Sequence, residues 1–489
     1  METLYIALAI ICVLLLGVLI DGRLKYWRYR LPPGPTGWPI LGCLPSLSEN
    51  LHLDMVKLGQ EYGSVFSVKF GTRLSIILNG IDAVREALEN KNLVFAGKPT
   101  NEPHIMSFNP NSYGLIFSTY SKAWRNEKKV ILNALKAFDF GSSNLELNII
   151  HQIDKLKEEI NLALGKRQDI CKLVSFTMSN TMSYILFGTD YKYHDEEFTA
   201  FLKNAQAYMY HSAHLMYELN YLPLQQFLPK TIARMKTSKE ATDNMNMFFL
   251  EHINQHKATK QDNFCRDFTD MIIEEVNKQD SALPDWSEEK SIFMYYSLFV
   301  NTVHTGPTQF HWVLLYVHYF DGVADRIYSE IEEVIGERQP TLEDKAKMPY
   351  TAAVMLETFR LSSVVAVAST HCAMEDTTLF GYDIPEGVDV ISNLWSVHHD
   401  PDVWGDPEVF RPERFIKDGK CVRHKALIPF SLGTRACIGE QLSQQQIFLL
   451  LTSLLQQYTF HLDDKPTSIQ GKYAFGLLPP PFQLRVEER

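Results

Sequence analysis

The chain has 489 residues, 45% of them hydrophobic, which is ample for a large core and excludes a disordered tail or a small disulfide-stapled module. A formal charge of −11 argues against nucleic acid as a partner. Seven cysteines, odd in number and without a C-x-x-C pair, fit a reducing compartment better than a disulfide framework.

From the N-terminus, Leu4 to Ile20 is an uninterrupted apolar run close to the lower limit for a bilayer span. Arg23, Lys25, Arg28 and Arg30 follow it directly, and no basic residue or small-residue cleavage site is arranged as in a signal peptide. The pattern predicts an uncleaved membrane anchor over residues 1–22, with the downstream chain cytoplasmic. Residues 23–49 read as a basic flank and hinge. Four prolines between Pro32 and Pro39 fix φ and make a stiff connector. From 50 to 489 no linker, repeat or low-complexity stretch intervenes, so one large unit is expected.

Val65 to Gly71 and Leu74 to Leu78 predict a hairpin, and Ile81 to Asn90 a short helix. Residues 120 to 360 show mostly helical periodicity, a strand-rich patch follows near Asp376 to Pro385, and Phe475 to Val486 reads as a final hairpin region. The fold class is therefore mainly α with small β-sheets. Along it, Trp124-Arg125-Asn126-Glu127-Lys128 is a basic helix face, solvated unless a buried anion meets it. Glu357 and Arg360 lie three apart on one helix face, where they can pair.

Ser291 to Val317 predicts one long apolar helix, with Asn301-Thr302-Val303-His304-Thr305-Gly306-Pro307 at its centre. Gly306 and Pro307 predict a weakened or kinked helix there. The Thr305 hydroxyl can hold a water, and His304 titrates near neutrality and can relay a proton; a packed core histidine is the alternative. Segments Phe95 to Phe117, His211 to Leu228, Val364 to Thr370 and Gly476 to Pro481 are apolar and aromatic, which points to a lipophilic ligand.

Phe430-Ser431-Leu432-Gly433-Thr434-Arg435-Ala436-Cys437-Ile438-Gly439 is the most informative stretch. A cysteine in a glycine-punctuated loop, beside an arginine and ahead of an apolar helix, can give its thiolate to a haem iron. Gly433 and Gly439 let the backbone approach a porphyrin face, N–H groups after Cys437 can donate to sulfur, and Arg435 can pair with a propionate. The full pattern F-x-x-G-x-R-x-C-x-G resembles the haem-ligand signature of the cytochrome P-450 family, and the chain resembles that family from end to end.

That resemblance implies haem b with Cys437 as axial thiolate, and a helix-rich body with a smaller β-rich lobe. It implies that Glu357, Arg360 and Arg414 form a buried charge network supporting the cysteine loop. Trp124, Lys128, His371 and Arg435 would hold the propionates, with Arg125 in reserve because Lys128 stands where relatives carry arginine. Thr305 with His304 would manage protons beside Asn301, although the family's usual acid is replaced by His304. Similar H-T and G-P elements occur in sterol 14α-demethylases and prostacyclin synthase respectively. Two activities follow. The first is a monooxygenase of the endoplasmic reticulum membrane acting on a steroid, fatty acid or xenobiotic, fed by NADPH-cytochrome reductase with cytochrome b5 as a further donor. The second is a reductase-independent isomerase or dehydratase of lipid hydroperoxides or endoperoxides.

Overall fold

Period-two alternation occupies short stretches of this chain and 3.6-residue periodicity the rest, and the architecture follows. The computed structural model describes residues 25–99, 102–137, 143–261, 264–278, 280–283 and 286–489. The expected anchor over 1–22 lies outside them. No helix among the described residues is long and apolar enough to cross a membrane.

After helix α1 (Leu51–Tyr62), strands β1 (Val65–Phe70) and β2 (Arg73–Asn79) form the expected hairpin, Val65 opposite Leu78 and Phe70 opposite Arg73. Helices α2 (Lys122–Ala137), α3 (Ile170–Phe187), α4 (Glu196–Tyr221), α5 (Pro229–Thr259), α6 (Phe268–Asn277), α7 (Asn301–Tyr319) and α8 (Pro349–Ser362) make most of the body. Strands β3 (His371–Cys372) and β4 (Asp389–Asn393) then complete a four-stranded sheet in the order β1-β2-β4-β3. Helix α9 (Glu440–Gln457) follows the cysteine loop and runs through the core on Ile447 to Leu451, each at most 1% exposed.

Two expectations are corrected. The C-terminal region is not one hairpin: Lys472–Tyr473 pairs with Leu477–Leu478, while Leu484–Glu488 pairs with Tyr458–His461. Pro479, Pro480 and Pro481 lie between and cannot donate to a ladder, so the chain changes sheets there. The long apolar helix carries an irregularity ahead of the Gly306-Pro307 pair. A π-turn over Tyr296–Val300 joins Glu288–Tyr295 to α7, and α7 continues through Pro307. Packing explains the continuity. Gly306 and Pro307 are buried, and a Cβ at Gly306 would lie 3.0 Å from the Met178 methyl of α3.

The antiparallel pair α4 and α5 is pinned at its far end by His256. Its Nδ1 meets the His252 carbonyl at 2.6 Å and its Nε2 meets the Asp267 carboxylate at 2.8 Å. Both partners are acceptors, so both nitrogens carry protons and the ring is an imidazolium. Burial opposes this charge, but the hydrogen bond and charge of Asp267 outweigh it and raise the pKa. Asp267 also caps α6 by accepting the Asp270 N–H at 3.0 Å.

Candidate active site

The cysteine loop is closed by its own backbone. Cys437 donates its N–H to the Phe430 carbonyl at 2.9 Å, Ser431 to Ile428 at 3.0 Å and Ala436 to Gly433 at 3.1 Å. Ser431 and Gly433 both take left-handed backbone, with φ of 62° and 73°. At Gly433 the glycine is required by the protein itself, because a Cβ would lie 1.8 Å from the Leu88 carbonyl oxygen. The expected reason, room for a porphyrin, is not the first one. At Gly439 a Cβ would meet only Cys437 Sγ, at an ordinary 3.8 Å.

The Cys437 side chain is accessible, yet burial pushes its thiol pKa up. The thiol is therefore reachable, yet protein packs closely enough around it to desolvate it. The backbone N–H groups of Gly439 and Glu440 donate toward Sγ and work against the rise. Those are the donors a thiolate needs.

Behind the loop, the expected charge network is present and fully buried. Arg360 holds Glu357 with two hydrogen bonds of 2.8 Å, and Arg414 Nε reaches the same carboxylate at 3.0 Å. Arg360 and Glu357 are both 0% exposed. The remaining N–H groups of Arg360 go to the carbonyls of His398, Pro407 and Val409. His398, which sequence reasoning did not single out, carries the connection forward. Its Nε2 accepts the Ile428 N–H at 3.1 Å, so its Nδ1 donates to Ser363 Oγ at 2.8 Å. Burial and the nearby Arg360 and Arg423 hold it neutral, with a pKa pushed down to about 3. Phe430 packs on Phe359 of α8, ring centroids 5.3 Å apart. The network thus grips both the start of the loop and the aromatic residue that opens it.

Beside the loop lies a group of cations. Arg435 donates to the carbonyls of Ala96, Leu115 and Ser118 at 2.8–2.9 Å and stacks 4.1 Å from the Trp124 ring. Lys128 donates to the Thr434 carbonyl at 2.7 Å. A third cation, Lys98, escaped sequence reasoning; it is buried and donates to Ser369 Oγ and the Thr370 carbonyl, both at 2.8 Å. Burial, then the charge of Arg435, push Lys98 down to about 7, with Glu102 acting the other way. Burial likewise pushes Arg435 down to about 10. None of the three makes an ion pair among the described residues, and each keeps an N–H unspent. Cations so crowded and without counter-ions fit two propionate carboxylates.

The other expected propionate residues are differently engaged. The Trp124 indole N–H donates to the Leu115 carbonyl at 3.1 Å, so Trp124 shapes the place of Arg435 by stacking. Arg125 points outward and is exposed, 5.8 Å from the Tyr120 ring. His371 donates Nδ1–H to the Phe95 carbonyl at 2.6 Å, and burial, with Lys98 and Arg435, pushes it down to about 3.

On α7 every donor of the central threonines is turned inward. Thr302 donates to the Leu298 carbonyl, Thr305 to the Asn301 carbonyl, both at 2.8 Å, and the Asn301 amide nitrogen to Ser297 at 3.2 Å. His304 is held in its neutral form. Burial pushes its pKa down to about 4, its Nε2 has no hydrogen-bond partner, and its ring faces Phe475 at 6.4 Å.

Comparison with known proteins agrees with this geometry. The cytochrome P450 family model matches residues 32–486. The chain is 31% identical to cytochrome P450 2U1 of Bos taurus, over 95% of this chain and 91% of the relative. It is also 31% identical to cytochrome P450 1A1 of Felis catus, over 93% and 91%. A third relative, cytochrome P450 2J3 of Rattus norvegicus, is 31% identical over 89% and 87%. The chain belongs to the cytochrome P450 family. With that membership come haem b held through a cysteine thiolate on the iron and, in general terms, haem-monooxygenase chemistry.

Proposed function

We propose that this member of the family is a membrane-associated monooxygenase, inserting one oxygen atom from O2 into a lipophilic substrate with electrons from NADPH-cytochrome reductase. The observation that carries the reading is the reachable, desolvated Cys437 thiol, backed by two N–H donors and flanked by three cations without carboxylate partners. Cys437 is the iron ligand in this reading, and Arg435, Lys98 and Lys128 hold the propionates. Bound haem supplies O2 binding and oxidising power. The residues of the chain exclude water, orient the substrate and hold protons. Thr305 keeps its oxygen lone pairs for a water, because its proton is spent on Asn301. His304 and Asn301 flank that position, and neutral His304 exchanges a proton only in concert with such a water.

Two surfaces support the partners. Arg125, Lys128, Lys129 and Lys136 line a groove of about 430 Å³ beside Thr434, which favours an acidic electron donor. Leu224, Phe227, Leu228 and Ile232 are each more than half exposed at the α4–α5 turn. Trp38, Ile40 and Leu41 adjoin them, since Gly71 bonds Leu41 and lies against the Tyr221 carbonyl. That apolar face suits the endoplasmic reticulum membrane surface, next to a chain that starts with an apolar run.

A second reading, isomerisation of lipid hydroperoxides without a reductase, is favoured by one feature: position 304 holds a neutral histidine where an acid would supply protons. Purified holoprotein mixed with a fatty-acid hydroperoxide, without NADPH or reductase, separates the two. Fast formation of oxygen-conserving isomers overturns the monooxygenase reading; turnover only with NADPH, reductase and O2 supports it.

A further inference from the structure

The open part of α7 is one turn long. Asn301, Thr302, His304 and Thr305 are partly exposed, while Val303, Gly306 and Pro307 are buried. At 3.6 residues per turn these two sets fall on opposite faces. The opening ends at once, because Thr308 and Gln309 on the next turn are buried, Gln309 against Ser362 of α8.

The polar chemistry of this face is one-sided. Thr302 and Thr305 each commit their only hydroxyl hydrogen to a carbonyl four residues back. What they present outward is lone pairs. Asn301 anchors its amide nitrogen on Ser297 at 3.2 Å, which turns the amide and leaves Oδ1 with no donor among the described residues. Three acceptor oxygens thus share this face with two donors, the remaining amide hydrogen of Asn301 and the single N–H of neutral His304. Phe475 stands beside His304, ring centroids 6.4 Å apart.

We infer that Asn301 and Thr305 select substrates carrying a hydrogen-bond donor, a hydroxyl on an otherwise lipophilic skeleton, over the matching ketone. A hydroxyl donates its one hydrogen to Oδ1 of Asn301 or to Oγ1 of Thr305 without disturbing either back-bond. A ketone oxygen in the same place can only accept, from the remaining Asn301 N–H, and leaves Oδ1 and Oγ1 without a donor. Asn301 is the specificity-determining residue, because truncating it removes both the oxygen and the anchor that aims it. This rests on the haem-thiolate reading of the site.

The test uses holoprotein and three alcohol–ketone pairs that differ by two hydrogens: menthol and menthone, dodecan-2-ol and dodecan-2-one, 5α-androstan-3β-ol and 5α-androstan-3-one. Dissociation constants come from calorimetry and from the Soret shift on titration. In every pair that binds, the alcohol should be about tenfold tighter, the worth of one neutral hydrogen bond. In Asn301→Ala the ratio should fall to about two. Equal or tighter ketone binding, no alcohol binding at all, or a preference that survives in Asn301→Ala overturns the inference. A reduced CO-difference band near ~450 nm is recorded on each sample. Its absence from the wild-type protein sinks the haem-thiolate reading, and its presence without alcohol preference sinks only the specificity.

Discussion

The cysteine loop and the open face of α7 are built on opposite principles. On the Cys437 side, polar groups are held by partners from several elements: Glu357, Arg360, Arg414 and His398 interlock through hydrogen bonds of 2.8–3.0 Å. On the α7 side, Asn301, Thr302 and Thr305 bond only to their own helix, and His304 Nε2 has no partner. The first arrangement fixes one geometry; the second leaves surfaces for something else to complete. A metal ligand needs the former, because its sulfur must stay within a few tenths of an ångström of one place. A substrate or water site works with the latter.

Breaking the first side should have the largest effect. Cys437→Ala should abolish the reduced CO band near ~450 nm entirely, while circular dichroism shows the helices intact. Glu357→Gln leaves two buried guanidinium groups under-compensated and should cost about 3–5 kcal/mol, read as loss of soluble, haem-loaded protein. If that variant keeps wild-type stability, the network does not hold the loop.

Lys98→Met sharpens the contrast, because its two effects have opposite signs. It removes a buried lysine that has no ion-pair partner among the described residues, so apoprotein should unfold at a higher temperature. It also removes a propionate partner, so haem transfer to apomyoglobin should be about tenfold faster, the loss of roughly one charge-assisted hydrogen bond. A haem-loss rate equal to wild type would show that Lys98 serves only the Ser369–Thr370 turn.

The smallest effects come from pH, and two histidines should differ in sign. His256 has a raised pKa, so its contribution is fully present below its ordinary value near 6.5 and is lost as pH rises through the folded-state value. His304 is held neutral with a pKa of about 4, so its contribution is present above about 6.5 and falls away as pH drops toward 4. Thermal unfolding of His256→Gln should approach wild type at alkaline pH. That of His304→Gln should lose less stability than wild type between pH ~6.5 and ~4.

Some of this was legible in the residues. Hairpin β1–β2 and the pairing of Glu357 with Arg360 are near-neighbour effects, so spacing alone reveals them. Helix α7 continues through Gly306 and Pro307, both buried, with Gly306 close to Met178 of α3, while the π-turn at Tyr296–Val300 gave no local signal. Lys98 offered no local signal: a lysine in Ala96-Gly97-Lys98-Pro99 reads as a surface turn until Ser369 and Thr370, some 270 residues away, surround it. His398 was invisible for the same reason, its partners being Ser363 and Ile428.

The sequence by itself determined the cofactor, its ligand and the family, because ten consecutive residues around Cys437 specify a loop whose chemistry is covalent and local. Only the tertiary structure decided which groups are charged. Protonation depends on desolvation and on charges brought in from distant segments, which is why His304 stands neutral, His256 charged, and Lys98 beside Arg435 where a carboxylate is needed.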